Sequence, residues 1–157
     1  YRFANQGSAH SNSFEMGLDA RVNEQFRVLA NYGYLDLQTN ETSIENRETN
    51  VPKNMGRVQL SYTHPKGFMA DASGTYTDQF KVVYVNDPEV VHYIDAYWRL
   101  DLRLAQRFST KEGDVTIGVV GTNLGQEWRT DYGNFASAEE LDPLRRAYYG
   151  FIEFSGK

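Results

Sequence analysis

The chain of 157 residues contains no cysteine, and this absence excludes three kinds of chemistry. Without thiols there is no disulfide, no thiolate nucleophile and no cysteine-bound metal. The chain also lacks any apolar run approaching the roughly 18 residues that a membrane-spanning helix needs. Acidic residues outnumber basic ones, and the net charge is -5. Binding of nucleic acid needs a basic face, which this charge balance does not suggest, so we expect no nucleic-acid partner.

Aromatic side chains, in contrast, are abundant. They make up 14% of the chain, with 11 Tyr, 9 Phe and 2 Trp, while hydrophobic residues as a whole stand at 40%. Tyrosine suits positions where a ring must contact apolar and wet surroundings together. A modest hydrophobic content is compatible with a membrane barrel, because barrel strands turn only every second side chain toward lipid. The first residue is Tyr1, without Met or a leader-like segment, and we expect a piece of a longer protein.

The dominant pattern is alternation of apolar and polar residues with a period of two. Between Phe14 and Val22 the apolar residues fall on one face, and the charges of Glu15, Asp19 and Arg21 fall on the other. A strand separates these residues cleanly, whereas a helix would scatter them. The same pattern predicts seven strands, at 14–22, 26–37, 57–63, 68–77 (or as far as 84), 94–105, 115–124 and 145–154.

The predicted connections alternate between short and long. Short turns are expected near Asn23, Pro65 and Glu112, with long loops at 38–53, around 86–88 and at 125–143; the last loop has room for one helical turn at 137–141. Outer-membrane barrels have tight periplasmic turns and longer extracellular loops, and their strands of about 9–11 residues cross the bilayer at a tilt. The pattern therefore favours an all-β fold, an antiparallel transmembrane β-barrel segment of about seven strands.

A soluble antiparallel sheet with one face on a core also gives a period of two. Charges in mid-strand and aromatic residues near strand ends favour the membrane barrel instead. On that basis one set of side chains is expected to face lipid and a second set to face the interior. The first set is Met16, Leu18, Val28, Ala30, Leu60, Ala72, Leu100, Leu102, Ile117 and Ile152; the second is Asp19, Arg27, Gln59, Asp71, Arg99, Asp101 and Arg103.

Five segments, taken in order, point to a known family. They are Asn5-Gln6-Gly7-Ser8-Ala9 followed by Phe14-Glu15-Met16, the strand 26–37 with its Tyr-Gly-Tyr-Leu-Asp centre, Asn50-Val51-Pro52-Lys53, Gly121-Thr122-Asn123-Leu124, and the aromatic-ended strand 145–154. Together they resemble the C-terminal end of the barrel of TonB-dependent outer-membrane receptors. One departure is that Ser155-Gly156-Lys157 follow Phe154, whereas family members usually end on the aromatic residue.

The resemblance implies a bacterial outer-membrane protein and several missing parts. A full receptor of this kind has about 22 strands around a plugged lumen, so residues 1–157 would lack the plug and the N-terminal strands. The implied partners are those remaining strands and the plug, TonB acting through the plug, and outer-membrane lipid. The implied function is import of a scarce bulky solute, an iron-siderophore complex or else a vitamin or glycan. A passive or structural outer-membrane barrel and a soluble β-sheet binding domain are the alternatives.

No catalytic constellation, cofactor site or metal site stands out, and we expect no enzyme. His10, His64 and His92 lie far apart in predicted loops or turns, without metal-ligand spacing. The sequence Asn40-Glu41-Thr42 matches a glycosylation acceptor by chance, in our interpretation.

Two groups of residues are candidates for function. The row Asp95, Arg99, Asp101 and Arg103 is interpreted as a ladder of lumen-facing charges rather than a substrate path. Asp95 and Asp101 are about 20 Å apart on a strand, too far for two carboxylates to share one bond-breaking step. The second group lies in the third long loop, where side chains could contact a ligand or belong to an interfacial aromatic girdle. Its members are Trp128, Arg129, Tyr132 and Phe135.

Overall fold

The computed structural model describes residues 9–39, 51–83, 91–125, 128–130 and 143–156. Every regular element in these ranges is a β-strand. The described residues contain no helix long and apolar enough to cross a membrane. The strands are β1 (Ala9–Arg21), β2 (Phe26–Thr39), β3 (Asn54–Thr63), β4 (Phe68–Thr77), β5 (Phe80–Val83), β6 (Val91–Ile94), β7 (Tyr97–Ser109), β8 (Gly113–Thr122), β9 (Trp128–Thr130), β10 (Pro143–Arg145) and β11 (Ala147–Gly156).

Seven of the strands form one open sheet in the order β1-β2-β3-β4-β7-β8-β11. All neighbours in this sheet are antiparallel. The remaining strands form two short hairpins, β5 with β6 and β9 with β10, within the longer connections. The predicted seven-strand antiparallel wall is confirmed, and the sheet does not close on itself within this chain. Consequently β1 and β11 each have a neighbour on one side only in this sheet.

The three short turns lie together at one end of the sheet, as predicted. In the first, the Asn23 side-chain oxygen accepts hydrogen bonds from the backbone N–H groups of Gln25 and Phe26, both at 2.8 Å. In the second, Gly67 adopts a φ of 90°, and a methyl group there would collide with the Arg107 carbonyl oxygen. Gly113 is similarly confined in the third turn by the backbone of β11. Glycine is needed at both positions because the backbone approaches so closely.

Several predicted strand ends are wrong at the opposite end, which we call the loop end. β1 begins at Ala9 rather than at Phe14, β2 continues to Thr39, and β3 begins at Asn54 rather than at Arg57. The added residues are mostly polar, and they are held by backbone pairing such as that of His10 with Gln38. His10 is therefore a strand residue and not part of a loop. Backbone hydrogen bonds do not require apolar side chains, so the alternation ended before the strands did.

The predicted fourth, fifth and seventh strands also need correction. β4 ends at Thr77 and does not run on to residue 84. At the next residue the Asp78 carboxylate accepts the N–H of Gln79 at 2.9 Å, and the chain then enters the β5–β6 hairpin. His92 belongs to that hairpin. β7 begins at Tyr97 rather than at residue 94, and β11 begins at Ala147, since Arg145 pairs within β10. The predicted helical turn at 137–141 and the segments around 40–42 and 86–88 lie outside the described residues.

The register places most of the apolar side chains of the seven strands on one face. Rings occur there in two rows, near the turn end and near the loop end, with aliphatic and small residues between them. The turn-end row contains Phe26, Tyr62, Phe68, Phe108 and Phe154, and the loop-end row contains Phe14, Tyr32, Tyr34, Tyr76, Trp98 and Tyr148. Between the rows this face carries no charged side chain on the seven described strands. Its polar Gln106 is satisfied by the carbonyl oxygens of Lys66 and Arg107, both at 2.9 Å.

The described part of the sheet has almost no interior. Ala105 is its only buried apolar side chain, whereas Leu18, Leu60, Trp98 and Ile152 are each more than half exposed. A sheet with one apolar face needs another layer or an apolar solvent to cover that face. The two rows of aromatic side chains and the uncharged band between them are typical of a lipid-facing wall.

Candidate functional site

The opposite face of the sheet is polar, and three pairs of opposite charges lie on it. In β7 the Asp101 carboxylate accepts two hydrogen bonds, one from the Arg99 guanidinium at 3.0 Å and one from the backbone N–H of Asn123 at 2.9 Å. Asn123 is buried and has a φ of 54°, which Asn tolerates better than most residues. That conformation folds the chain after β8 back over β7, where the Leu124 N–H reaches the Leu100 carbonyl oxygen at 2.8 Å. Asp101 therefore fixes both an arginine and the end of β8.

A second pair crosses between β4 and β7. Asp71 and Arg103 are opposite each other in the register, and their side chains approach to 3.1 Å. The Arg103 guanidinium carbon also lies 4.9 Å from the centre of the Phe151 ring. That ring covers Gly118, where an added Cβ would meet ring atoms at 2.5 Å. A cation over an aromatic face is attracted by the ring quadrupole, so Arg103 is held by a carboxylate and a ring at once.

The third pair lies near the turn end, between β1 and β2. Arg27 donates to both carboxylate oxygens of Asp19, at 2.8 and 2.6 Å. Both side chains are about half exposed, and exposed pairs of this kind contribute little to stability. Their effect is to neutralise the surface: Asp19, Asp71 and Asp101 each have an arginine partner on the polar face.

A recess in the polar face lies between β1 and β4 in its loop-end half. Gly17 and Gly33 form its floor, and a Cβ added to either would meet nothing within 4 Å. Glu15, Arg57 and the neighbouring polar groups line the recess, which has a volume of about 610 Å³. The Arg57 guanidinium donates to Gln59 at 3.2 Å. The recess thus offers open space bordered by one acidic and one basic side chain.

At the loop end of the apolar face, polar groups form a chain of hydrogen bonds. The Tyr32 hydroxyl donates to the Asn54 amide oxygen at 2.6 Å, and the Asn54 amide nitrogen donates to Asp78 at 2.7 Å. The Asn54 hydrogen bond is the main reason why the pKa of Asp78 is lowered from its ordinary value, against a smaller opposing effect of desolvation. The Tyr76 hydroxyl also donates to the Asp78 carboxylate, at 3.4 Å. These contacts satisfy polar groups at the edge of the apolar band.

These arrangements provide hydrogen-bonding groups rather than reactive ones. In the part of the chain that the structure describes, no three His, Cys, Asp or Glu side chains are grouped closely enough to hold a metal ion. The carboxylates of Asp19, Asp71 and Asp101 on the polar face are each paired with an arginine. The polar face can therefore contact a solute or a protein surface through donors, acceptors and balanced charge.

Comparison with known families decides what this wall belongs to. The profile of the family described as TonB dependent receptor-like, beta-barrel, matches residues 1–124. The chain belongs to this family. The resemblance found in the sequence is therefore confirmed. The predicted fold is confirmed as well, because the chain forms an antiparallel strand wall of a TonB-dependent receptor barrel. The family is one of outer-membrane receptors and is not a class of enzymes. No curated protein matches the sequence significantly.

Solved structures agree on the fold of this receptor segment. A complex of FpvAI with pyocin S2 has a TM-score of 0.68 at 16% identity, covering 92% of this chain and 20% of that one. FpvA of P. aeruginosa bound to heterologous pyoverdines has a TM-score of 0.67 at 17% identity, covering 91% of this chain and 20% of that one. The segment thus spans about a fifth of the length of these solved receptors.

The receptor segment places the candidate residues in three different positions. Arg99, Asp101 and Arg103 share the polar face of β7, whereas Asp95 lies in the connection between β6 and β7 and is not part of that row. Trp128 and Arg129 lie in β9, where their backbones pair with Arg145 and Leu144 of β10. Tyr132 and Phe135 lie outside the described residues. The structure therefore unites three of the four ladder residues and leaves the role of the loop group as a prediction.

Sequence reasoning missed the partners of the ladder. Asp71 was expected on the interior side, but its pairing with Arg103, 32 residues away, required the register of β4 and β7. Phe151 was not considered, although its alternation with Gly150 and Ile152 places it on the polar face. An aromatic residue directly opposite a glycine is the signal that could have located this contact, since rings pack over glycines in neighbouring strands.

Proposed function

We propose that residues 1–157 form the C-terminal part of the barrel of a bacterial outer-membrane transporter, which imports an iron-siderophore complex. The observation that carries the proposal is the contrast between the two faces of one sheet. Its apolar face has two aromatic rows and an uncharged band, as lipid requires, and its other face carries paired charges. A polar face behind a lipid-facing wall suits a lumen.

The proposal includes the parts that this segment lacks. The plug and the remaining strands would belong to the same receptor, and TonB would act on the plug. β1 and β11 would pair with strands outside residues 1–157, because hydrocarbon offers unpaired backbone groups no hydrogen-bonding partner. The polar face, with Arg99, Asp101 and Arg103, would contact the plug or the passing solute. The loop group around Trp128 would lie at the extracellular mouth.

Support for the substrate class comes from the solved relatives. One of them is described as FpvA bound to pyoverdines in an iron complex, and its fold matches 91% of this chain. Recognition of a solute of this kind needs a mouth and a lumen with many hydrogen-bonding groups, which the polar face supplies.

The test is uptake by cells that express the intact receptor and no other siderophore receptor. A panel of radio-iron-loaded hydroxamate, catecholate and mixed siderophores would be offered to cells with and without TonB. We expect at least one complex to accumulate only when TonB is present. Uptake that continues without TonB would favour a passive barrel, and binding of none of the panel would overturn the siderophore assignment.

A second measurement tests the direction of the two faces independently of substrate. Single cysteines replacing Ser73 on the polar face and Leu102 on the apolar face would be treated with a water-soluble thiol reagent in intact membranes. We expect the residue-73 variant to react and the residue-102 variant to be protected. The chain has no native cysteine within these 157 residues to obscure the result.

A further inference from the structure

The lipid-facing side of the sheet contains a recess, which we call the Gly56 groove. In the register Gly56 lies between Tyr32 of β2 and Tyr76 of β4, so a residue without a side chain separates two rings. The groove has a volume of about 530 Å³ and continues over Ala30 and Val58 toward the middle of the band. Strands lie about 4.8 Å apart, so the two tyrosine backbones are separated by about 10 Å.

The walls of the groove are built by large side chains. On one side Met16 and Leu18 stand beside Tyr32; on the other, Tyr76 packs against Trp98 with ring centres 5.0 Å apart. A Cβ added to Gly56 would meet the Asn31 carbonyl oxygen at 3.6 Å and Tyr32 at 3.9 Å, which are ordinary contacts. The floor is therefore open rather than filled by neighbours, and the shape is a slot that runs from the loop-end ring row into the band.

We propose that this groove holds one acyl chain of a bilayer lipid from the leaflet at the loop end, retained longer than the lipids around it. The inference rests on the proposed function, because it requires the apolar face to lie in a membrane. The groove is continuous with the lipid-facing band, because it begins within the loop-end ring row and runs toward the middle of the band. Hydrocarbon chains are thus the occupants that reach it first.

The chemistry of the slot favours an acyl chain over a polar ligand. Its polar edge is already satisfied internally, since Tyr32 donates to Asn54 and Asn54 donates to Asp78. Tyr32, Asn54 and Asp78 therefore need no protein or peptide partner. Lipid tails are as apolar as leucine, so retention depends on van der Waals packing. A slot with rings on two sides gives a flexible chain more contacts than a flat wall does.

Photolabelling of the intact receptor tests the inference. The receptor would be reconstituted in vesicles of palmitoyl-oleoyl phosphatidylcholine containing an analogue with a diazirine in its acyl chain, and adducts would be mapped by peptide mass spectrometry. We expect adducts at Met16, Tyr32 and Trp98 to exceed those at the distant band residues Leu104 and Ile117 several-fold.

The variant Gly56→Leu, which fills the slot, should reduce this excess to the level of the rest of the band. Ala70→Leu adds similar bulk to the same face outside the slot and should leave labelling unchanged. If Gly56→Leu fails to fold, Trp98→Ala, which removes one wall, should also abolish the excess at the two remaining positions. Even labelling along the whole band, or a cross-link to a second copy at the slot, would overturn the resident lipid but leave the transporter proposal intact. Absence of adducts from the entire band would overturn both.

Discussion

Arginine substitutions at different depths along the apolar face of β7 test whether that face contacts lipid. Trp98 marks the loop-end ring row and Phe108 the turn-end row, so Leu102 lies near the middle of the band and Leu100 lies closer to one edge. With about 3.4 Å per residue and a tilt near 40°, the two leucines differ in depth by about 5 Å. Leu102→Arg should cost about 2–4 kcal/mol, the range measured for arginine at a bilayer midplane.

Leu100→Arg should cost less than Leu102→Arg, because arginine can extend its guanidinium toward the interface from there. Gln59→Arg is the matched control, since Gln59 lies at similar depth but on the polar face, paired with Leu29 and Ser73. The assay is folding of the intact receptor into phosphatidylcholine vesicles over a guanidinium series, read by gel mobility. Equal costs at all three positions would refute the assignment of faces.

Three further predictions follow from packing, titration and topology. Gly118→Val should destabilise the receptor by about 1–3 kcal/mol, because an added Cβ would lie 2.5 Å from the Phe151 ring and 2.7 Å from the Leu104 carbonyl oxygen. A decrease in the thermal unfolding temperature no larger than that of Gly33→Val would contradict this prediction. The lowered pKa of Asp78 means that its stabilising contribution is complete above its ordinary value of 3.8 and is lost as pH falls through the lower folded value, so Asp78→Asn should flatten the acid limb of a stability–pH curve. Residues 1–157 expressed alone should not give a monodisperse folded monomer in detergent, because the edges of β1 and β11 remain unpaired; sedimentation analysis would detect one if it formed.

The sequence predicted the faces of the sheet well, because alternation is a direct property of strand geometry. Leu100 and Leu102 on one side and Arg99 and Asp101 on the other follow from a period of two wherever the chain stays extended. The number and direction of the main strands followed from the spacing of turns. These features depend on neighbours in the chain, and a single sequence contains that information.

Features that depend on distant residues could not be predicted in the same way. Asp95 continued the alternation of β7 in the sequence, yet β6 leaves the sheet to pair with β5, and only pairing partners reveal that break. The Asp71–Arg103 contact required a register that side-chain polarity alone does not define. The polar ends of β1 and β2 extend past the apolar band through backbone pairing. The side chains of His10 and Gln38 do not indicate this pairing in the sequence.

The confined glycines of the turns give the two ends of this wall unequal freedom to change. At Gly67 and Gly113 even one methyl group would collide with a backbone carbonyl of the neighbouring strand, so substitutions or insertions there disturb the sheet itself. At the other end, the hairpin of β5 and β6 stands outside the seven-stranded sheet and can lengthen without shifting any register within it. Evolutionary drift and engineered peptide insertions should therefore accumulate at one rim only, and new surfaces can be added there on an unchanged frame.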